Sequence, residues 1–241
     1  MGKAGPSGGP AAARSAPAAV ILTAAGRGSD EPWGFAQVLG RTLLGLCAET
    51  VDGCPGIEGF VVVVPAGMED RAAGATRSSG KFLAAVRGGS TALESLIPGI
   101  AALPRRFEAV VWHDADRPLA SRELFAAVLG ALEDADVAVP QVPVGDTVKR
   151  VDGGVVGETI PRDGLAVLQT PQAFRREALA AVVGAGGGAR QPANWDLLGA
   201  ATGLRVATIP GDPGDVPVRT LRDLRLVEEL LAGRLSRSDG H

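Results

Sequence analysis

Three apolar runs show no alternation of apolar and polar residues: Ala19–Thr23 (AVILT), Phe60–Val64 (FVVVV) and Ala109–Trp112 (AVVW). A strand with one wet face alternates with period two, whereas a run that stays apolar is covered on both faces. Such strands belong in the middle of a parallel sheet with helices above and below it. Ala84–Val86, Val137–Val139 and Val206–Ile209 are shorter runs of the same kind. Between the runs lie helix-period stretches at Gln37–Val51, Ala92–Leu103, Arg122–Glu133, Glu177–Val183 and Leu221–Leu231. Ser121 is a suitable N-cap for the Arg122 helix. Strand, helix and strand at this spacing predict right-handed crossovers and a doubly wound, mostly parallel α/β layer.

Gln141–Ile160 breaks that rhythm. It reads as two extended pieces, Gln141–Val148 and Gly154–Ile160, around the turn Asp152-Gly153-Gly154. A β-arm near 141–162 is therefore expected to project from the body. The Gly-, Pro- and Ala-rich segment 1–17 reads as a disordered tail, residues 18–233 as a single domain, and 234–241 as a frayed polar tail. Gly184–Pro192 reads as a mobile Gly-rich loop.

Composition narrows the function classes. The 24 Lys plus Arg against 27 Asp plus Glu give a net charge of −3, so no basic stripe for nucleic acid is expected. Only Lys3, Lys81 and Lys149 are lysines, which leaves few to grip a polyanion. No apolar run reaches the roughly 18 residues needed to span a bilayer. Cys47 and Cys54 fit no CxxC pattern and read as ordinary thiols of a cytoplasmic protein. A Walker A loop and zinc-type His/Cys clusters are missing, and no GxSxG elbow follows a predicted strand.

In a parallel α/β sheet, ligands sit outside the carboxyl ends of the strands. After the first run comes Ala24-Ala25-Gly26-Arg27-Gly28-Ser29, whose glycines let backbone N–H groups approach a phosphate. His113-Asp114-Ala115-Asp116-Arg117-Pro118 follows the Ala109 run. There Asp114 suits Mg²⁺, which takes carboxylate, phosphate and water oxygens, and Arg117 suits a phosphate or hydroxyl. Gly88-Gly89-Ser90 precedes a helix that carries Ser95. Asp146-Thr147-Val148-Lys149 stands at the foot of the arm, and Gln169-Thr170-Pro171-Gln172 follows the apolar Leu165–Leu168. Each piece taken alone also reads as a turn or a helix cap.

Taken in order, the pieces are more specific. AAGRG (Ala24–Gly28), VVVV (Val61–Val64), GGS…ES (Gly88–Ser95) and HDADRP (His113–Pro118) come first. PVGDTVK (Pro143–Lys149), PRDGL (Pro161–Leu165), QTPQAF (Gln169–Phe174) and a closing DL…E helix (Asp223–Glu228) follow. From about Ala19 to Leu231 the sequence resembles the 2-C-methyl-D-erythritol 4-phosphate cytidylyltransferase family. The resemblance implies a Rossmann-like fold of the nucleotide-diphospho-sugar transferase type, with a β-arm that builds a homodimer. It implies transfer of CMP from CTP to 2-C-methyl-D-erythritol 4-phosphate with release of pyrophosphate, a step of isoprenoid precursor biosynthesis, using Mg²⁺, with no nucleic acid or membrane partner. Asp114 would hold Mg²⁺. Ala24, Ala25, Gly26 and Gly28 would line the nucleotide together with Gly89 and Ser95. Arg117, Thr147 and Thr170 would contact the acceptor, and Arg162 would reach the acceptor phosphate of a neighbouring subunit.

Departures from the family pattern fall on basic positions. Asp30 stands where an Arg is usual, Trp33 and Pro217 where lysines are usual, and Ala92 in place of the Arg of a GGxxR stretch. Ala193-Asn194 replaces a Thr-Asp pair. Arg27, assigned a catalytic role inside the Gly-rich loop, and Arg219, two residues past Pro217, are the candidate substitutes. The planar fork of Arg bonds differently from a lysine ammonium. Two further readings stay open: a non-catalytic relative that binds a nucleotide or a partner, and a cytidylyltransferase for another polyol phosphate such as ribitol phosphate.

Overall fold

A computed structural model describes residues 16–24, 32–186 and 203–238. The chain opens with strand β1 (Ala18–Thr23), a short 3₁₀ turn (Trp33–Phe35) and a two-stranded hairpin, β2 (Gln37–Val38) and β3 (Arg41–Thr42). Then come α1 (Leu43–Asp52), β4 (Ile57–Val64), α2 (Glu69–Thr76), β5 (Phe82–Arg87), α3 (Ala92–Ala102), β6 (Ala109–Asp114), α4 (Arg122–Ala131) and β7 (Val137–Pro143). The second half holds β8 (Val148–Asp152), β9 (Val155–Ile160), β10 (Ala166–Leu168), β11 (Gln172–Arg175), α5 (Arg176–Gly186), β12 (Val206–Pro210) and α6 (Leu221–Ser238).

The predicted central strands lie side by side. β1 pairs in parallel with both β4 and β6, and β4 pairs in parallel with β5. Helices cover both faces, as the unbroken apolar runs require. Val20 and Leu22 of β1 pack with Leu44, Cys47 and Val51 of α1, Ala72 of α2, and Phe125 and Val128 of α4. Ala19 and Ile21, pointing the opposite way, pack with Leu96 of α3 and Leu179 and Val182 of α5. A third apolar cluster joins Val38, Leu43, Leu46, Leu119 and Val218 to Val227 of α6.

Several boundaries differ from expectation. The predicted helix Gln37–Val51 begins only at Leu43. Leu39 and Gly40 take positive φ (49° and 76°) and turn the chain into the β2–β3 hairpin. Thr42 then caps α1, its side-chain oxygen accepting from Gly45 N–H at 3.0 Å. The piece Gln141–Val148 is not an arm strand: Gln141–Pro143 completes β7, which pairs with β10 and β12, and the hairpin strand starts at Val148. Its turn is the expected one, with Gly153 and Gly154 at φ 54° and 82°. The last helix runs past Leu231 to Ser238, so Arg234 is part of α6 and donates to the Leu119 carbonyl at 3.1 Å. The short α2 and β11 carry too few apolar residues for periodicity to reveal them, and β10, though apolar, is only three residues long. The tail 1–15 and residues 187–192 of the predicted loop lie outside the described residues.

β11 runs antiparallel between β6 and β7, so these two strands are not direct neighbours. Arg175 ends β11 and Arg176 opens α5. Arg175 donates to the Leu132 and Ala135 carbonyls at the end of α4. Arg176 donates to four carbonyls, Ile100, Leu103, Pro104 and Phe107, at the end of α3. In the same way Lys81 donates to the Val51 and Cys54 carbonyls after α1. Each cation bonds carbonyls at or just past a helix C-terminus, where a positive charge is favourable. Phe174 of β11 is fully buried. Phe174→Ala is expected to cost about 3–5 kcal/mol, measured by chemical denaturation against the unaltered chain.

Candidate active site

Thr23 and Asp114 end neighbouring parallel strands and stand opposite each other in register. Trp112 Nε1–H donates to Thr23 Oγ1 at 3.0 Å, and the Thr23 hydroxyl donates to Asp114 Oδ1 at 2.6 Å. From the other side comes Thr170, in the bend between β10 and β11, where the Thr170–Pro171 peptide is cis. Its Oγ1 accepts from the Asp114 backbone N–H at 3.2 Å and lies 3.1 Å from His113 Nδ1. His113 Nε2 faces the Arg117 carbonyl at 3.1 Å. A carbonyl can only accept, so Nε2 carries the proton and Nδ1 accepts from Thr170. The ring lies edge-on to Phe125. Burial, and after it the charge of Arg117, push His113 down to about 3, so the imidazole is neutral.

The turn after β6 is clamped from below. Arg117 Nη1 donates to the Asp215 carbonyl at 2.8 Å and pairs with Asp215 Oδ2 at 3.3 Å. Both side chains are buried, at 7% and 0% exposure. Burial pushes Asp215 up to about 7, while Arg117 pulls it the other way. Val218 N–H donates to the Asp116 carbonyl at 2.7 Å, a second tie between the two segments. Cys47 lies under this turn, 3.7 Å from the Arg117 carbonyl. Burial first, then Asp215, Asp116 and Asp114, raise its thiol well above the ordinary value.

The turn after β5 forms another wall. Gly88 N–H donates to the Val64 carbonyl at 2.7 Å. A Cβ on Gly88 would sit 2.8 Å from both Ser95 Oγ and Val63, and one on Gly89 would sit 2.3 Å from Glu94 Cβ. Thr91 Oγ1 accepts from Glu94 N–H as the N-cap of α3, and Glu94 Oε2 accepts from Ser90 N–H just before the cap, which fixes the start of the helix. The Ser95 hydroxyl, buried, reaches the Gly89 carbonyl at 3.4 Å. Ala24, buried just past β1, is covered by Gly34, where a Cβ would come within 2.8 Å of the Ala24 Cβ.

Of the predicted site residues, Asp114, Thr170 and Ala24 lie together at the ends of β1 and β6, while Gly89 and Ser95 line the start of α3. Arg117 belongs to the same turn, but its Nη1 is engaged by Asp215. Thr147 and Arg162 are exposed at the base of the β8–β9 hairpin, where Arg162 donates to the Gly145 carbonyl. Ala25, Gly26, Arg27, Gly28 and Asp30 lie outside the described residues, as do Ala193 and Asn194. Two members went unpredicted. Thr23 carries a signal, a hydroxyl closing an otherwise apolar strand. Asp215 carries none, because its partner is 98 residues away.

Comparison with known proteins gives a consistent answer. The family model of IspD, 2-C-methyl-D-erythritol 4-phosphate cytidylyltransferase, matches residues 18–233. The chain belongs to this family. It is 37% identical over 222 residues to the 2-C-methyl-D-erythritol 4-phosphate cytidylyltransferase of Frankia casuarinae, covering 89% of this chain and 81% of that protein. It is 40% identical over 228 residues to the bifunctional enzyme IspD/IspF of Clavibacter michiganensis, covering 88% of this chain and 54% of the relative. The chain thus spans about half the length of such bifunctional relatives. The crystal structure of the Thermus thermophilus cytidylyltransferase superposes with a TM-score of 0.70 at 31% identity, covering 87% of this chain and 97% of that one. The 4-diphosphocytidyl-2C-methyl-D-erythritol synthase of Anaerococcus prevotii superposes with a TM-score of 0.76 at 26% identity, covering 89% and 96%.

Against the family pattern, Trp33 packs on the apolar cluster of Val38, Leu43 and Val227. It therefore serves packing where the pattern has a lysine. Arg219 stands at the mouth of the turn, its Nε 4.0 Å from Asp116 Oδ2.

The neutral His113 makes a pH prediction. Its folded value lies below its unfolded one, so its contribution is present above about 6.5 and is lost as pH falls toward 3. The stability difference between the natural chain and His113→Gln should shrink by roughly 4 kcal/mol between pH 6.5 and 3.5. Asp215 acts with the opposite sign, losing its contribution as pH rises from about 4 to 7. The His113→Gln chain alone should therefore lose stability with rising pH across that window, as urea titrations at stepped pH would record.

Proposed function

We infer that this chain transfers CMP from CTP to the phosphate of 2-C-methyl-D-erythritol 4-phosphate, releasing pyrophosphate, in isoprenoid precursor biosynthesis. The observation that carries the reading is the Thr23–Asp114–Thr170 cluster at the strand ends, within a chain whose residues 18–233 match the family model. An acceptor phosphate oxygen attacks the α-phosphorus of CTP in line. A new P–O bond forms as the bond to the bridging oxygen breaks, and pyrophosphate leaves with the electron pair. Little covalent work falls to the protein; it positions two polyanions and offsets their charge.

Asp114 is the residue that would hold Mg²⁺. Among the described residues no three His, Cys, Asp or Glu side chains group to hold a metal by themselves. A lone carboxylate beside a phosphate site fits an ion that keeps waters and takes most other oxygens from the nucleotide. Bound there, Mg²⁺ would screen the phosphate charge. The rigid turn at Gly88–Ser90 and the close cover of Gly34 over Ala24 support these as nucleotide walls. Thr170 faces the acceptor, and Arg117 holds the turn beneath it. Arg219 supports a rebuilt phosphate grip, with Arg27 of the Gly-rich loop as its companion.

The hairpin supports a homodimer. Val151, Val155 and Val156 are 58%, 71% and 65% exposed on a two-stranded element of marginal stability alone. A second copy closing over them would bring Thr147 and Arg162 to its neighbour's acceptor site. The free, buried Cys47 and Cys54 support a reducing, cytoplasmic setting, and among the described residues no helix is long and apolar enough to cross a membrane.

Purified chain mixed with CTP, Mg²⁺ and methylerythritol phosphate is expected to release pyrophosphate. Nucleotide binding with no release above a blank would point instead to a non-catalytic relative, and release only with ribitol phosphate to a different acceptor. Asp114→Asn should lower kcat by about 100-fold or more. Arg219→Ala should raise KM for CTP by about tenfold, the loss of one charge-assisted contact of ~1.4 kcal/mol. Val155→Asp with Val156→Asp should halve the mass seen by light scattering and remove activity along with it.

A further inference from the structure

We propose that Thr23, held by Trp112, is a positioning residue that fixes the Asp114 carboxylate for its cation. The proposal rests on the reading of Asp114 given above. Its basis is a one-way chain of hydrogen bonds. Indole Nε1–H can only donate, and it occupies the Thr23 oxygen at 3.0 Å. The Thr23 hydroxyl proton then points away from Trp112, and of its two acceptors the His113 carbonyl, at 3.4 Å, is far more distant than Asp114 Oδ1, at 2.6 Å. That length belongs to a charge-assisted O–H···O⁻ bond, so the carboxylate is met in its ionised form. The direction of the chain follows from the donor inventory of its three members.

The strands make the chain possible. Trp112 and Asp114 are two residues apart on β6 and so share a face of the sheet. Thr23 is the register partner of Asp114 on β1, which brings its hydroxyl alongside the carboxylate. Trp112 is 1% exposed and Thr23 6% exposed, so water does not compete for either bond. Val at position 23 would match the rest of the apolar run in shape and burial. The hydroxyl is thus the one polar group β1 sends toward Asp114. A carboxylate that keeps a single orientation loses less freedom when a cation arrives than one that rotates. Thr23 acts through Asp114, to which its hydroxyl proton is given.

Mn²⁺ serves as the probe, read by electron paramagnetic resonance in the presence of CTP, beside the pyrophosphate assay. Asp114→Asn should weaken Mn²⁺ binding at least tenfold. Thr23→Val should weaken it roughly three- to tenfold and raise the Mg²⁺ concentration for half-maximal turnover by a similar factor, leaving KM for methylerythritol phosphate unchanged. Thr23→Ser, which restores a hydroxyl, should recover most of the binding. Trp112→Phe removes only the N–H donor and should show a smaller shift in the same direction. It also carries the test if Thr23→Val fails to fold by circular dichroism. Wild-type Mn²⁺ affinity in folded Thr23→Val, or in folded Trp112→Phe where Thr23→Val does not fold, overturns the positioning role while Asp114→Asn still binds weakly. Wild-type affinity in Asp114→Asn overturns the reading of Asp114 itself, and the positioning role falls with it.

Discussion

Strands β1 and β6 are covered by helices on both faces, so their backbone groups bond to neighbouring strands and their side chains have no route to water except at the strand ends. That constraint decides where chemistry can stand. Polar side chains collect at Thr23 and Asp114 because everything before them on these strands is buried. The register of the two strands then fixes which polar group meets which. Thr170 reaches the same place only because β11 inserts antiparallel between β6 and β7 and ends its approach at Asp114. The site is a property of the sheet, completed by one bend and one clamped turn.

Much of this was legible in the residues. Unbroken apolar runs locate β1, β4 and β6 and require helices on both faces, and the strand-end rule leads to Asp114. Periodicity failed where local backbone overrode it. Gln37–Val51 has a helical pattern, yet Leu39 and Gly40 adopt left-handed backbone and cut a hairpin from its first turn. β11 escaped because four residues, one of them charged, leave no periodic trace, and its role depends on pairings with β6 and β7. The Arg117–Asp215 pair lay beyond reach for a different reason: nothing local to either residue names the other. In the fold the Nη1 of the HDADRP arginine holds that turn together.

The scarcity of lysine acquires a structural meaning as well. Lys81 caps α1, Lys149 lies on the arm strand β8, and Lys3 is outside the described residues. Cations near the HDADRP turn are arginines. Arg117 is committed to a buried carboxylate, while Arg219 is more than half exposed at the mouth of that turn. Planar guanidinium groups thus divide the work of holding the turn and facing its opening, where a lysine would offer a single point of charge.

Arg175 and Arg176 are adjacent in sequence, yet each closes the end of a helix on a different face of the sheet. Amide exchange in either helix layer should therefore not proceed by independent local opening near this junction. Releasing the end of α3 or of α4 loosens the same two-residue hinge, and that hinge holds β11 and, through it, Thr170. The two layers and the Thr170 bend should protect their amides as one cooperative unit, with similar opening free energies. Two neighbouring side chains thus tie both helix layers to the bend that carries Thr170.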